Sequence, residues 1–559
     1  MKSRLSVALM LFASLLVLAG VFAGPASASP TTRWVSLAPV GANTGCSSPG
    51  YNSIQDAVNA AAPNDTVSVC AGTYTEQVTV EKNITIKGAG AAATRIQMPL
   101  PAADSTCNPA ASVGLHTVDV VDVCGGATAK VTGLTVAGPY GALDCSLQGY
   151  GIAVVEGSTA TITNTTVTSI REDPLNGCQG GVGILVGRLS TSQVGTAAIT
   201  GVTVSDYQKG GIVVSNPGSS AKITNSTITG VGPTDQIAQN GVQISYGGSG
   251  TVNNSTIVGN ECDVAVCGAD PETDTQAAGV LLYDAGPGTK VQNSIIANND
   301  MGVYNSEVPS DSPAGNKTTV MKNHLSGNRY EGLELDAGKI KATNNTIDGG
   351  DAGVDVLLYN GQPVQVNATV TGNTITNAGD AIRVSSDNDP GDLAPKVTAT
   401  GNSLDTSNGA GASNPTNFVV NVKSSWWGDA SGPSDWALGT GSSTSANVDF
   451  FPWALTSSLS GAASCTAGPS HNITGPFPPD SILCGTSGND FIDATATGGP
   501  VLILGNGGND QLKGTTASDA IIAGAGNDFI DGRGGPDSIQ CRGGGDSVVP
   551  YTGDRRSNC

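Results

Sequence analysis

Two short strand-like units alternate along most of this chain, and their repetition limits the possible folds more than any other feature. The first recurs as AKVTGLTVAG (129–138), ATITNTTVTS (160–169), AAITGVTVSD (197–206), AKITNSTITG (221–230), GTVNNSTIVG (250–259), TKVQNSIIAN (289–298), IKATNNTIDG (340–349) and ATVTGNTITN (368–377). The second has the form Gly-aliphatic-x-aliphatic: GIAV (151–154), GILV (183–186), GIVV (211–214), GVQI (241–244), GVLL (279–282), GLEL (332–335) and GVDV (353–356), decaying to AIRV (381–384). Both alternate apolar and polar residues with period two, so each buries one face and exposes the other. A strand of four or five residues cannot hide its apolar face alone; stacking the same strand from successive turns hides it. Turns of about 22 to 38 residues predict an all-β chain, a right-handed parallel β-helix of about ten to twelve coils. A β-sandwich array would show longer strands, turns every eight to twelve residues and no repeat near thirty. Asn164, Asn225, Asn254, Asn293 and Asn345 read as one position of the repeat. Asn tolerates left-handed backbone there and can stack in ladders.

Composition agrees with many short strands and tight turns. Glycine supplies 77 of 559 residues and charged residues only 13%, which suits turns rather than long amphipathic helices. The net charge of −21 makes nucleic acid and anionic lipid poor partners and favours cations. Lys2 and Arg4 precede an apolar run from Leu5 to Ala23, followed by Ala26-Ser27-Ala28, the pattern of a signal peptide cleaved after Ala28. The alternative is an uncleaved membrane anchor. No later segment is apolar for long enough to span a bilayer, so the mature chain is expected to be extracellular, either secreted or cell-surface associated, and monomeric. The twelve cysteines fall into sequential couples: Cys46/Cys70, Cys107/Cys124, Cys145/Cys178, Cys262/Cys267, Cys465/Cys484 and Cys541/Cys559. An even count in an exported chain points to disulfides between neighbours. Zinc would need CxxC spacing and nearby histidines; there is no CxxC and there are only three histidines, which disfavours zinc.

The domains follow in order: signal peptide 1–28, N-terminal segment with capping helix 29–64, β-helix with a Trp-rich cap 65–455, linker 456–482, a small roll 483–549 and a tail 550–559. Ser53-Ile54-Gln55-Asp56 opens a short amphipathic helix with a capping box and Pro63 as its stop. With DTVSVCAGTYTEQVTVEKNITIKGAG (65–90), this segment resembles the opening of pectin-lyase-like β-helix proteins, with their helix, Gly-x-Tyr-x-Glu turn and first coil. SSWWGDASGPSDW (424–436) and VDFFPWAL (448–455) resemble the closing element of bacterial surface β-helix proteins. Trp426, Trp427, Trp436 and Trp453 there are expected to plug the last coil rather than stack on sugars.

The tail carries the most specific site motif. GTSGNDFID (485–493), GNGGNDQLK (505–513), GTTASDAII (514–522), AGAGNDFID (523–531), GRGGPDSIQ (532–540) and CRGGGDSVV (541–549) match the nonapeptide GGxGxDxUx. Each unit pairs a glycine-rich turn with a three-residue strand, and stacked turns converge carboxylates and carbonyls into an oxygen cage suited to calcium. The block resembles the RTX (haemolysin-type) repeats. That resemblance implies calcium as cofactor, with Asp490, Asp510, Asp519, Asp528, Asp537 and Asp546 as ligands. The insertion ATATGGPVLIL (494–504) is expected to weaken Asp490, and the missing glycines of GTTASDAII to weaken Asp519.

Enzymatic chemistry is sparse. Uronate epimerases carry Asp-Pro-His-Glu, but no His follows the Asp-Pro pairs at Asp173, Asp270 and Asp389; of the pectin methylesterase motifs only the turn Gly72-x-Tyr74-x-Glu76 is present. His116, His324 and His471 sit in unrelated contexts and read as surface or turn residues. One constellation remains. The outward position of the second unit reads Tyr304, Glu334, Asp355 and Arg383, which in-register coils would stack at about 4.8 Å. It reads as a charge ladder on a solvated face or as a catalytic set acting on a uronate. The expected function is thus a calcium-binding, non-catalytic scaffold for extracellular polysaccharide, cell-surface glycan or another partner. The alternative is a polysaccharide lyase or uronate epimerase using Glu334, Asp355 and Arg383.

Overall fold

The computed structural model describes residues 29–107, 116–141, 145–268, 277–306, 317–358, 365–386, 394–406 and 409–559; the leader at 1–28 and the pairs at Asp270 and Asp389 lie outside the described residues. Three parallel sheets of 15, 14 and 12 strands run side by side, and successive coils add a strand to each. The chain folds as the repeat requires, a parallel β-helix. The ten-residue unit splits across a corner: Ser158–Thr163 joins the 15-stranded sheet and Thr166–Thr168 the 12-stranded one. The Gly-aliphatic unit builds the third sheet, for example Gly210–Ser215 over Asn240–Ser245. Stacking is in register, so Ile162, Ile199, Ile223 and Val252 form one fully buried column.

The corner explains the asparagines. Asn164, Asn225, Asn254, Asn293 and Asn344 have φ of +48°, +51°, +49°, +51° and +55°, the left-handed region that Asn enters more readily than branched residues. Asn345 does not belong to this series. It lies one position further on, inside the coil, in a ladder running Ser226, Ser255, Ser294, Asn323, Asn345, Asn373, Asn402 and Ser425. Each member accepts a hydrogen bond from the backbone N–H of the member before it, at 2.9 to 3.2 Å. The ladder satisfies buried corner N–H groups that the sheets leave unpaired.

Both ends are closed. Thr32–Val35 begins the 15-stranded sheet ahead of the capping helix Ile54–Ala60. Ser53 Oγ accepts from Asp56 N at 3.2 Å, while the Glu76 carboxylate accepts from Ser53 Oγ, Ile54 N and Gln55 N at 2.8, 2.8 and 3.0 Å. Glu76 of the Gly-x-Tyr-x-Glu turn therefore caps the helix. At the other end Trp427 is fully buried and Trp436 and Trp453 are nearly so, forming an aromatic plug.

The roll is two five-stranded parallel sheets around Leu483, Ile492, Ile503, Leu512, Ile521, Ile530 and Ile539. Its first rung, Asn472–Thr474, falls inside the segment expected to be a linker. The insertion at 494–504 does not interrupt the roll; its Val501–Leu504 pairs with Ser481–Cys484 and supplies a rung. One outer face of the roll docks on the plugged end of the helix. Leu502, Leu504, Ala520 and Ile522 share a core with Phe450 and Trp453. Around them Asn447 N donates to Gln540 Oε1 at 3.2 Å, Arg542 Nη2 donates to Val448 O at 2.7 Å, and Arg555 pairs with Asp435 at 3.0 Å. All six sequential cysteine couples are disulfides. Among the described residues no helix is long and apolar enough to cross a membrane.

Candidate metal centre and acid column

The nonapeptides alternate between the two edges of the roll, so their aspartates form two columns. Asp490, Asp510, Asp528 and Asp546 stand on one edge: Asp510 Oδ1 accepts from Asp490 N, Asp528 Oδ1 from Asp510 N, and Asp546 Oδ1 from Asp528 N, each at 2.8 Å. On the other edge Asp519 Oδ1 accepts from Val501 N at 2.9 Å, Asp537 Oδ1 from Asp519 N at 2.8 Å and Asp554 Oδ1 from Asp537 N at 3.4 Å. Asp554 is a member that the motif missed, because Arg556 stands at its aliphatic position. His471 also escaped it. Ile473 pairs with Ile492, which puts His471 at the aspartate position of the first rung, and its Nδ1 lies 2.7 Å from Asp490 Oδ1.

One oxygen of each carboxylate is thus committed to the fold, and the second decides the chemistry. Oδ2 of Asp510, Asp528, Asp537 and Asp546 is buried and accepts no hydrogen bond from the protein. An unpartnered buried carboxylate oxygen is costly unless a cation meets it. Burial pushes Asp510 up to about 6 and Asp537 up to about 7, so their charged forms want a positive partner. The space beside them is a glycine cradle. A Cβ on Gly505 would lie 2.7 Å from Asp510 Oδ2 and 2.3 Å from the Ala523 carbonyl oxygen, and one on Gly532 would lie 2.1 Å from Asp537 Oδ2. Among the described residues no three His, Cys, Asp or Glu side chains converge as a metal cluster. An ion here would take one or two carboxylates and complete its shell with backbone carbonyls, as calcium can. The donor set fits calcium.

The column on the β-helix is in register: Tyr304 pairs with Glu334, Glu334 with Asp355, and Asp355 with Arg383. It is not the solvated ladder that alternation suggests. Glu334 and Asp355 are 3% and 2% exposed. Two further acids missing from the alternating pattern join it, Glu331 and Asp336. Arg383 Nη2 is held between Glu331 Oε1 at 2.8 Å and Asp355 Oδ2 at 2.7 Å, and Ser385 Oγ donates to Asp355. Burial and mutual repulsion push Glu331 up to about 8 and Glu334 well up; burial pushes Asp336 up to about 7 and also raises Asp355 against the pull of Arg383. A carboxyl raised in the folded state favours that state most below its unfolded value near 4, and the contribution is lost as pH rises through about 7 to 8. Asp336→Asn is therefore expected to gain stability over the parent chain between about pH 5 and about pH 8, on the order of 2 kcal/mol. Paired denaturant titrations at saturating calcium measure the difference, which cancels distant groups and retains the relief of Glu334, whose carboxyl Asp336 helps to raise.

The right handed beta helix region model matches residues 120–308 and again 183–375, and the RTX calcium-binding nonapeptide repeat (4 copies) matches 504–539. The chain carries a right-handed β-helix and RTX repeats. Solved structures that match include the A-module of the Azotobacter vinelandii mannuronan C-5 epimerase, at 15% identity, covering 65% of this chain and 90% of that one, with a TM-score of 0.43. An alginate lyase mutant matches at 11% identity over 91% of this chain and 72% of its own, TM-score 0.45. The Aspergillus niger pectin methylesterase matches at 14% over 54% and 87%, TM-score 0.33. No curated protein sequence matches.

Proposed function

We propose that this is an exported, calcium-binding β-helix protein, a non-catalytic scaffold that offers its long face to extracellular polysaccharide, a cell-surface glycan or another partner. Calcium is its cofactor, held in the RTX roll by the turn aspartates. The carrying observation is the set of buried Oδ2 atoms that no protein group satisfies. Six disulfides and the leader sequence support an oxidising, calcium-rich compartment.

The second reading, a lyase or epimerase using Glu334, Asp355 and Arg383, is favoured by their in-register stacking with Tyr304. Against it stands the way the acids are spent. Arg383 is clamped by two carboxylates and Asp355 is turned to Arg383 and Ser385, leaving little for a uronate to engage. Incubation with a panel of polyuronates, read in the ultraviolet for unsaturated product and by NMR for epimerised residues, with and without chelator, is expected to show no turnover. Turnover that vanishes in Asp355→Ala or Arg383→Ala would establish the second reading.

A further inference from the structure

Not all RTX turns of this roll are built alike. In the turns of Asp510, Asp528, Asp537 and Asp546, the second nonapeptide position is left-handed: Asn506, Gly524, Arg533 and Arg542 have φ of +73°, +112°, +77° and +68°. The fourth position is left-handed too, at Gly508, Gly526, Gly535 and Gly544, with φ of +106°, +142°, +91° and +118°. These same four aspartates carry the unsatisfied Oδ2. In the turns of Asp490 and Asp519 the equivalent residues are Thr486 and Gly488, and Thr515 and Ala517, and none has positive φ.

The backbone difference redirects the second position's N–H onto the carboxylate. Thr486 N donates to Asp490 Oδ2 and Thr515 N to Asp519 Oδ2, both at 2.6 Å. Each threonine hydroxyl donates to the matching Oδ1 at 3.0 Å and accepts from the N–H of the fourth position, Gly488 or Ala517, at 3.0 and 2.9 Å. The hydroxyl thus links the carboxylate to the turn. His471 adds a further contact on Asp490, at the end of that column. Backbone and hydroxyl donors supply at these two turns the positive partners that a cation would supply at the other four.

We propose that the turns at Asp490 and Asp519 are closed by Thr486 and Thr515 and take no calcium, while Asp510, Asp528, Asp537 and Asp546 hold the ions. This rests on the calcium reading above and sharpens it. The Asp490 turn, which follows the entry braced by Cys465–Cys484, and the Asp519 turn, the first of the motif aspartates on the other edge, are complete without metal. They give the calcium-dependent rungs a template to stack on, which spares those rungs part of the nucleation that an isolated repeat must supply.

The test is to count ions on the full chain by native mass spectrometry and calcium titration calorimetry. Asp490→Asn and Asp519→Asn are expected to keep the parent's stoichiometry, whereas Asp510→Asn, Asp528→Asn, Asp537→Asn and Asp546→Asn each lower it. Thr515→Gly combined with Ala517→Gly reopens a turn and is expected to add one ion, a gain that misfolding cannot mimic. If Asp519→Asn loses calcium as Asp537→Asn does, the closure is wrong and the calcium function stands. If the parent chain binds no calcium, both fall.

Discussion

Replacing Asn373 by alanine is expected to destabilise the β-helix by about 4 kcal/mol, from one to three kcal/mol for each buried polar group left unpaired. Asn373 Oδ1 accepts from both the backbone N–H and the side-chain amide of Asn345 at 2.9 Å, and its own amide donates to Ala342 O and Asn402 Oδ1 at 3.0 Å. Truncation leaves the Asn345 backbone N–H and one hydrogen of its amide unpaired, and takes a donor from Ala342 O and from Asn402 Oδ1, which keeps Asn373 N, at a position 1% exposed where water cannot enter without opening the coil. Asn373→Ser is expected to recover a good part of the loss, because Ser226, Ser255 and Ser294 do the same work with a hydroxyl in earlier coils. Asn344→Ala, at φ +55° beside Asn345, should cost only the left-handed backbone penalty, about 1 to 2 kcal/mol. Urea unfolding of the three variants orders them. A loss for Asn344→Ala as large as for Asn373→Ala would mean the inner ladder adds nothing special.

That pair of residues shows how far the sequence could be read. The repeat announces the coil, because alternation and spacing are properties of the chain itself. Asn344 and Asn345 are adjacent and identical, and only the register against Asn323 and Asn373 decides which one turns inward. The acid column follows the same rule. Its stacking is visible in the repeat, but its burial depends on what lies over the sheet, which no repeat unit encodes. The six motif aspartates were legible as positions, but the threonine donors that meet Asp490 and Asp519, and His471 beside Asp490, were not. Asp554 and His471 were hidden because each rung keeps only one half of its consensus: Asp554 has lost the aliphatic residue, and His471 has replaced the aspartate.

Least legible was the docking of the roll, and it carries the second large effect. Chelation is expected to unfold the calcium-dependent rungs and also to uncover the last coil of the β-helix, rather than melt the roll alone. Asp510, Asp528, Asp537 and Asp546 lie on rungs whose outer faces contribute Leu504, Ile522 and Gln540 to the junction. Losing the burial of Leu502, Leu504 and Ile522 removes roughly 5 kcal/mol of apolar stabilisation at 1.5 to 3 kcal/mol per side chain. It also frees Val448 O from Arg542 and Asn447 from Gln540 and Asn558, exposing the terminal strand Val448–Asp449 of the long sheet. Hydrogen exchange read by mass spectrometry should therefore quicken at 447–454 together with 505–549 when calcium is removed. Residues 197–258, deep in the stack, should keep their protection, since each coil is held by its immediate neighbours. Leu504→Asp separates cause from consequence. It places a charge in the junction without touching a turn aspartate, so calcium should still bind while 447–454 exchange as fast as in chelator. If chelation melts 505–549 and leaves 447–454 as protected as before, the roll is a passenger on the helix and not its calcium-set lid.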